Sequence, residues 1–159
     1  MSIFARNANA YRVALLIGAI DVPDVIAWAD SEIAASEIPS NSLIDISLGR
    51  SKTIAEIASL LAYLAVDTSD ECSLKRGIGM LANRIRAKQI DVQTAIMNCY
   101  RCLQSENLLY NDDFRIFVNL EDDVSLIRDG IFGPDKLPEL ESDLLAALDE
   151  MTQYTENAG

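Results

Sequence analysis

Histidine is absent from the 159 residues. Without imidazole the chain has no Ser-His-Asp or Cys-His machinery, no histidine ligand for zinc, and no side chain that ordinarily titrates near neutrality. Glycine (7) and proline (4) are scarce, and tryptophan occurs once. So little turn chemistry excludes a loop-stapled or collagen-like chain, and a 50% hydrophobic share excludes a disordered one. No apolar run approaches the roughly 18–20 residues that span a bilayer. Basic residues are also in short supply: 13 Lys and Arg face 25 Asp and Glu, a formal charge of −12. A field of that sign repels nucleic acid and anionic membrane surfaces and attracts basic partners. Nothing in the sequence spells a reaction, a cofactor loop or a metal-ligand set. The expectation is therefore no catalytic residue, no cofactor and no metal.

What is present is helical. Ala (19), Leu (19) and Ile (17) outnumber Val (7). At this length about 68–70% of the unfolded surface can be buried, enough for a core without disulfide or metal. A first helix over residues 8–17 ends at Gly18, suited to a left-handed cap. Asp21 opens a second with Pro23 in its first turn and Asp24 placed for a capping box, burying Val25, Ile26, Ala29 and Ile33 to about residue 35. A short third follows Pro39-Ser40-Asn41, carries Leu43, Ile44 and Ile46, and stops at Gly49. Ser51 or Thr53 opens a fourth with Ile54, Ile57, Ala58, Leu61 and Leu64 on one face. Leu74, Ile78, Leu81 and Ile85 stripe a fifth over residues 73–88, and Asp91 caps a sixth that runs to about residue 104.

Beyond residue 104, Asn111-Asp112-Asp113 starts a helix carrying Phe114, Phe117 and Val118. Glu121-Asp122-Asp123 offers a second start leading through Val124 and Ile127 to Gly130. One bent helix or two both fit, and the β-rich run 114–120 also permits a short strand. A loop over 130–138 leads to a last helix with Leu137, Leu140, Leu144, Leu148 and Met151, and residues from 155 onward are expected to fray. No period of 20–50 residues repeats. The fold class is all-α: seven to eight short helices in one compact domain, 1–159, with an irregular stacked array open to it.

Arg6 and Arg12 precede the apolar run 13–20, as in a secretory signal, but Asp21-Val22-Pro23-Asp24 is a poor cleavage site and the run reads as a core helix. The three cysteines, Cys72, Cys99 and Cys102, cannot all pair within one chain, which suits a reducing cytoplasm. Cys99-Tyr-Arg-Cys102 spells C-x-x-C, yet no second such pair and no histidine would complete a zinc site. Both cysteines fall on the stripe Val92, Ala95, Ile96, Cys99, Cys102 and Leu103, one helix face, and read as packing.

The acidity is localised. Residues 1–105 carry 10 Lys and Arg against 11 Asp and Glu, whereas residues 106–159 carry 3 against 14, a net charge of −11. Asp112, Asp113, Asp122, Asp123 and Asp135 sit at expected helix starts, where the dipole favours carboxylates. Capping accounts for two or three acids per start and not for the shortage of bases. A solvated acidic face is one reading, and a docking surface for a basic partner is another. On the second reading Tyr110, Phe114, Phe117 and Phe132 are available as apolar anchors, although the two helix phenylalanines read better as core. A third reading makes the acids ligands of a hard cation, but the calcium-loop pattern and any carboxylate-x-x-His pair are missing.

Five stretches form a familiar pattern: Leu15-Leu16-Ile17-Gly18-Ala19-Ile20, Val25-Ile26-Ala27-Trp28-Ala29-Asp30, Leu43-Ile44-Asp45-Ile46-Ser47-Leu48, Asp122-Asp123-Val124-Ser125-Leu126 and Asp129-Gly130-Ile131-Phe132-Gly133. Together they resemble the small helical immunity proteins encoded beside bacterial contact-dependent growth-inhibition and other polymorphic toxins. The resemblance implies a cytoplasmic protein that binds one cognate toxin domain and blocks its active site. Many such toxins are nucleases with basic clefts, and an acidic surface would take the place of the phosphate backbone. The expected function is therefore non-enzymatic neutralisation of a basic toxin by occlusion and charge complementarity. Asp112, Asp113, Glu121, Asp122, Asp123 and Asp129 are the expected contact residues. The rivals are a carboxylate-metal hydrolase or transferase and an acidic DNA-mimic regulator of a DNA-binding protein.

Overall fold

The computed structural model describes residues 1–153. Among these the chain forms nine α-helices, two 3-10 turns and no strand. The helices are α1 (Ile3–Leu16), α2 (Val22–Ala35), α3 (Asn41–Ser47), α4 (Ile54–Ala65), α5 (Glu71–Gly79), α6 (Leu81–Arg86), α7 (Val92–Ser105), α8 (Arg115–Arg128) and α9 (Leu137–Gln153). No helix among the described residues is long and apolar enough to cross a membrane. The expectation of fraying from residue 155 lies outside the described residues.

Most helices start where a short polar side chain can satisfy a free amide. Asp21 and Thr53 close full capping boxes with Asp24 and Glu56, and Ser40, Asp70 and Asp91 cap α3, α5 and α7. The first helix begins five residues earlier than the periodicity suggests, because the Ser2 hydroxyl accepts from the Ala5 amide 3.1 Å away. Gly18 (φ +79°) follows it in the left-handed region, as expected of a terminating glycine.

α1 is the shared wall of two hydrophobic clusters. Ala8 and Leu15 face a smaller one with Val25, Trp28, Leu43, Ile57 and Leu61 from α2–α4. Val13, Ala14 and Ile17 face a larger one built from α5–α9. A helix that must bury opposite sides cannot be strongly amphipathic, and α1 buries Ala5, Ala8, Ala10, Val13, Ala14 and Leu15 together with Asn9 and Arg12. α5 packs against α1 at Gly77, where a Cβ would stand 2.6 Å from the Ala10 carbonyl oxygen and 2.8 Å from Val13 Cβ. At Gly79 a Cβ would lie 3.2 Å from the Thr152 amide nitrogen of α9.

These approaches explain one departure from expectation. The single helix expected over 73–88 divides at Met80 into α5 and α6. Packing against two neighbours requires glycine on two faces of α5, and glycine weakens a helix interior. In α2, Ile26 and Ile33 are only half-buried, and Trp28 takes the interior place. The Trp28 ring stacks between Phe4 and Tyr11, with centroids 5.7 and 5.1 Å away. Ile44 and Ile54, expected on buried faces, are exposed.

Polar groups also cross the interior. The Asn9 amide donates to Ser73 Oγ at 2.8 Å, and Arg12 Nε donates to Asn9 Oδ1 at 2.8 Å. Arg12 pairs with Glu106 at 2.8 Å, the side chains being 9% and 17% exposed. One buried guanidinium thus ties α1 to the end of α7.

Candidate functional site

The region after α7 settles the alternatives left open by sequence. Residues Asp112–Phe114 make a single 3-10 turn, capped by Asn111 Oδ1 accepting from the Asp113 amide, and α8 then runs unbroken to Arg128. There is one helix here, not two, and no strand. Glu121, Asp122 and Asp123 therefore lie in the middle of a helix, and the capping explanation fails for Asp122 and Asp123. Asp129 is the residue that ends α8, where the dipole disfavours a carboxylate. Phe114 and Phe117 are fully buried core, as the periodicity suggests. Tyr110 is 97% exposed, and Phe132 lies half-buried with the Lys136 ammonium 5.2 Å from its ring centre.

The 3-10 turn and α9 face each other across an open groove of about 510 Å³. Asp112 and Asp113 stand on one side and Asp143 and Glu150 on the other, with Ile116 and Met151 among the apolar lining. Lys75, itself buried, reaches the groove from α5 and donates to Asp113 at 2.7 Å. Asp112 accepts from Arg115 at 2.7 Å. Asp143 and Glu150 have no basic side chain within 4.0 Å among the described residues. The groove thus combines four carboxylates, one buried ammonium and a small apolar lining.

The six expected contact residues do not form one patch of equal standing. Asp112 and Asp113 line the groove. Asp123 is not among the groove residues; it adds, with Asp143, to the field at Lys136, whose ammonium is held above its ordinary value by Glu139 first. Glu121 accepts from the Ser125 hydroxyl at 2.9 Å, and Asp122 and Asp129 are exposed to solvent. Asp143 and Glu150 escaped the sequence reading. Asp143, Ala146, Ala147 and Glu150 have i, i+3, i+4, i+7 spacing, so their common face was legible, but its partner across the groove was not.

Several of the acids already have structural duties. Glu106, Asp113, Glu141 and Asp149 pair with Arg12, Lys75, Lys88 and Arg86, four bases from the nearly neutral part of the chain. The Arg86–Asp149 pair is bidentate, at 3.0 and 2.6 Å, and it holds the Asp149 carboxyl below its usual range. Part of the charge imbalance is thereby explained by packing between the two regions.

The cysteines are core. Cys99 is fully buried and Cys102 is 9% exposed, and burial pushes both thiols up, Cys102 to about 11. Among the described residues no three His, Cys, Asp or Glu side chains gather into a metal-binding group. No family model, curated protein or solved structure matches this chain.

Proposed function

We propose that the protein is a non-enzymatic immunity protein that binds a basic toxin domain in the cytoplasm, a nuclease being the class that fits best. The groove between Asp112–Phe114 and α9 is the centre of contact on this reading. The observation that carries it is the placement of Asp143 and Glu150, with no basic side chain within 4.0 Å among the described residues, opposite Asp112 and Asp113 around an open cleft with some apolar lining. Such a cleft suits Lys or Arg side chains, whose charged heads meet carboxylates while their stems cover Ile116 and Met151. Glu121, Asp122, Asp123 and Asp129 extend the field along α8 and steer the approach. The mechanism is steric occlusion of the toxin's substrate cleft, with the acidic surface standing where phosphates would lie.

This reading expects a large secreted protein with a variable C-terminus to be encoded beside this chain, and the test uses that protein's C-terminal domain. Association should slow as salt rises, since the Debye length falls from about 10 Å at 0.1 M to about 3 Å at 1 M. Asp143→Lys with Glu150→Lys should raise Kd and abolish protection of cells. Asp45→Lys, an exposed change on α3, should do neither. If the groove variant still folds and binds normally, the toxin docks elsewhere.

A further inference from the structure

A second groove carries the opposite sign. It lies between α7 and α8, has a volume of about 300 Å³, and is lined by Gln93, Met97, Asn98, Arg101, Val124 and Arg128, with Thr94 at one end. In this part of the molecule most bases are neutralised: Lys75, Arg84, Arg86, Lys88, Arg115 and Lys136 all have a carboxylate within 4.0 Å. Arg76, Arg101 and Arg128 do not, among the described residues, and of these three Arg101 and Arg128 line the groove. Arg128 makes only a long contact with its neighbour Ser125 Oγ, at 3.4 Å. In a chain of net charge −12, this cleft brings together two guanidinium groups with no carboxylate within 4.0 Å among the described residues.

We propose that this groove binds the carboxylate of a small, partly apolar molecule. The planar guanidinium fork matches a carboxylate and donates two parallel hydrogen bonds to it. Asp91, which caps α7 beside the groove residue Thr94, is engaged: it accepts from the Thr94 amide at 2.9 Å and from the Thr94 hydroxyl at 2.8 Å. Asn98 donates to the Ile17 carbonyl at 3.0 Å, which fixes its side chain in place. Buried Val124 and half-buried Met97 supply apolar surface for a short hydrocarbon body. The surrounding negative field selects a monoanion, because a dianion meets about twice the repulsion. The site goes beyond the basic-partner reading, since it uses another face and a ligand of opposite charge.

Calorimetric titration of the whole protein with hexanoate, acetate and inorganic phosphate tests the assignment at constant ionic strength. Hexanoate should bind saturably and more tightly than acetate, and phosphate should bind more weakly than hexanoate. Arg101→Gln and Arg128→Gln should each weaken hexanoate by about tenfold, the loss expected from one charge-assisted hydrogen bond. Arg50→Gln, an exposed change outside the groove, should leave it unaltered. Circular dichroism checks that each variant folds, and both arginines are exposed enough for substitution. The proposal is overturned by absence of saturable hexanoate binding, by affinity indifferent to both groove substitutions, or by phosphate binding tighter than hexanoate. None of these outcomes bears on toxin binding at the α9 groove.

Discussion

On one side of α1, helices α2–α4 enclose the small cluster around Trp28 and leave Ile38, Leu48, Tyr63 and Val66 in solvent. On the other side, α5–α9 enclose the larger cluster and expose a denser set of carboxylates, with Tyr110 and Ile131 in solvent among them. Charge differs in density: residues 22–66, which hold α2–α4, carry six acids and two bases, whereas residues 106–159 carry fourteen acids and three bases. Val66 marks the contrast, since it sits 87% exposed at φ +66° after α4, a conformation that strains a β-branched residue. The comparison separates two uses of surface. In the acidic flank many carboxylates act as adhesive, because residues 67–105 carry six bases against four acids and pack onto it. Other carboxylates, Asp143 and Glu150 in the groove among them, have no basic side chain within 4.0 Å among the described residues.

The comparison breaks most sharply if the flanks unfold separately. Phe117→Ala empties a fully buried site in the larger cluster and should cost about 3–5 kcal/mol. Trp28, the only tryptophan, reports on the other flank. Because α1 belongs to both clusters, its fluorescence and far-UV circular dichroism should lose the same midpoint in urea. A Trp28 transition that stays at the wild-type position would show that the clusters are independent.

Glu106→Gln cuts the most buried of the ion pairs that join the two parts of the chain. Breaking a buried pair costs about 3–5 kcal/mol, and here the lower end is expected because Asn9 Oδ1 still accepts from the Arg12 guanidinium. Chemical denaturation measures it, and a loss indistinguishable from zero would mean that the network is solvated.

Cys99→Ala removes one sulfur from the larger cluster and should cost about 1 kcal/mol. In native buffer a thiol reagent should label half-buried Cys72 first and Cys99 and Cys102 only on unfolding, since both lie in the core and burial disfavours their thiolates. Rapid labelling of Cys99 would contradict its place on the buried face of α7.

The smallest effect sharpens the role of capping. Asp91 is held below its usual range chiefly by the Thr94 amide, and Asp21 by its hydrogen bond with Asp24. A carboxyl whose folded pKa is depressed contributes stability above its unfolded value, about 3.9, which is lost as pH falls through the folded value. Stability should therefore be steady between about pH 5 and 7 for these groups and decline below about pH 4. Asp91→Asn keeps a capping oxygen without a titrating group, so its acid limb should be shallower. An unchanged limb would assign acid sensitivity to other carboxylates.

Much of this molecule is decided locally. The caps at Asp21, Ser40, Thr53 and Asp91, the terminating glycine at 18, and the stripes of α4, α7 and α9 are short-range patterns, so the all-α class and most helix positions follow from sequence. The localised acidity is equally legible, and it drew attention to Asp112 and Asp113. Tertiary structure alone decided which carboxylates have partners. Asp143 meets the groove while Asp149 meets Arg86, yet both are acids on one helix, and nothing local distinguishes them. It also decided that Met80 breaks a helix and that Glu121-Asp122-Asp123 does not start one. Close packing at Gly77 and Gly79 controls the former, and burial of Phe117, Leu120 and Val124 along one continuous face controls the latter. Periodicity and capping act over a few residues, whereas ion pairing, helix crossing and the lining of a groove depend on residues brought together from distant parts of the chain.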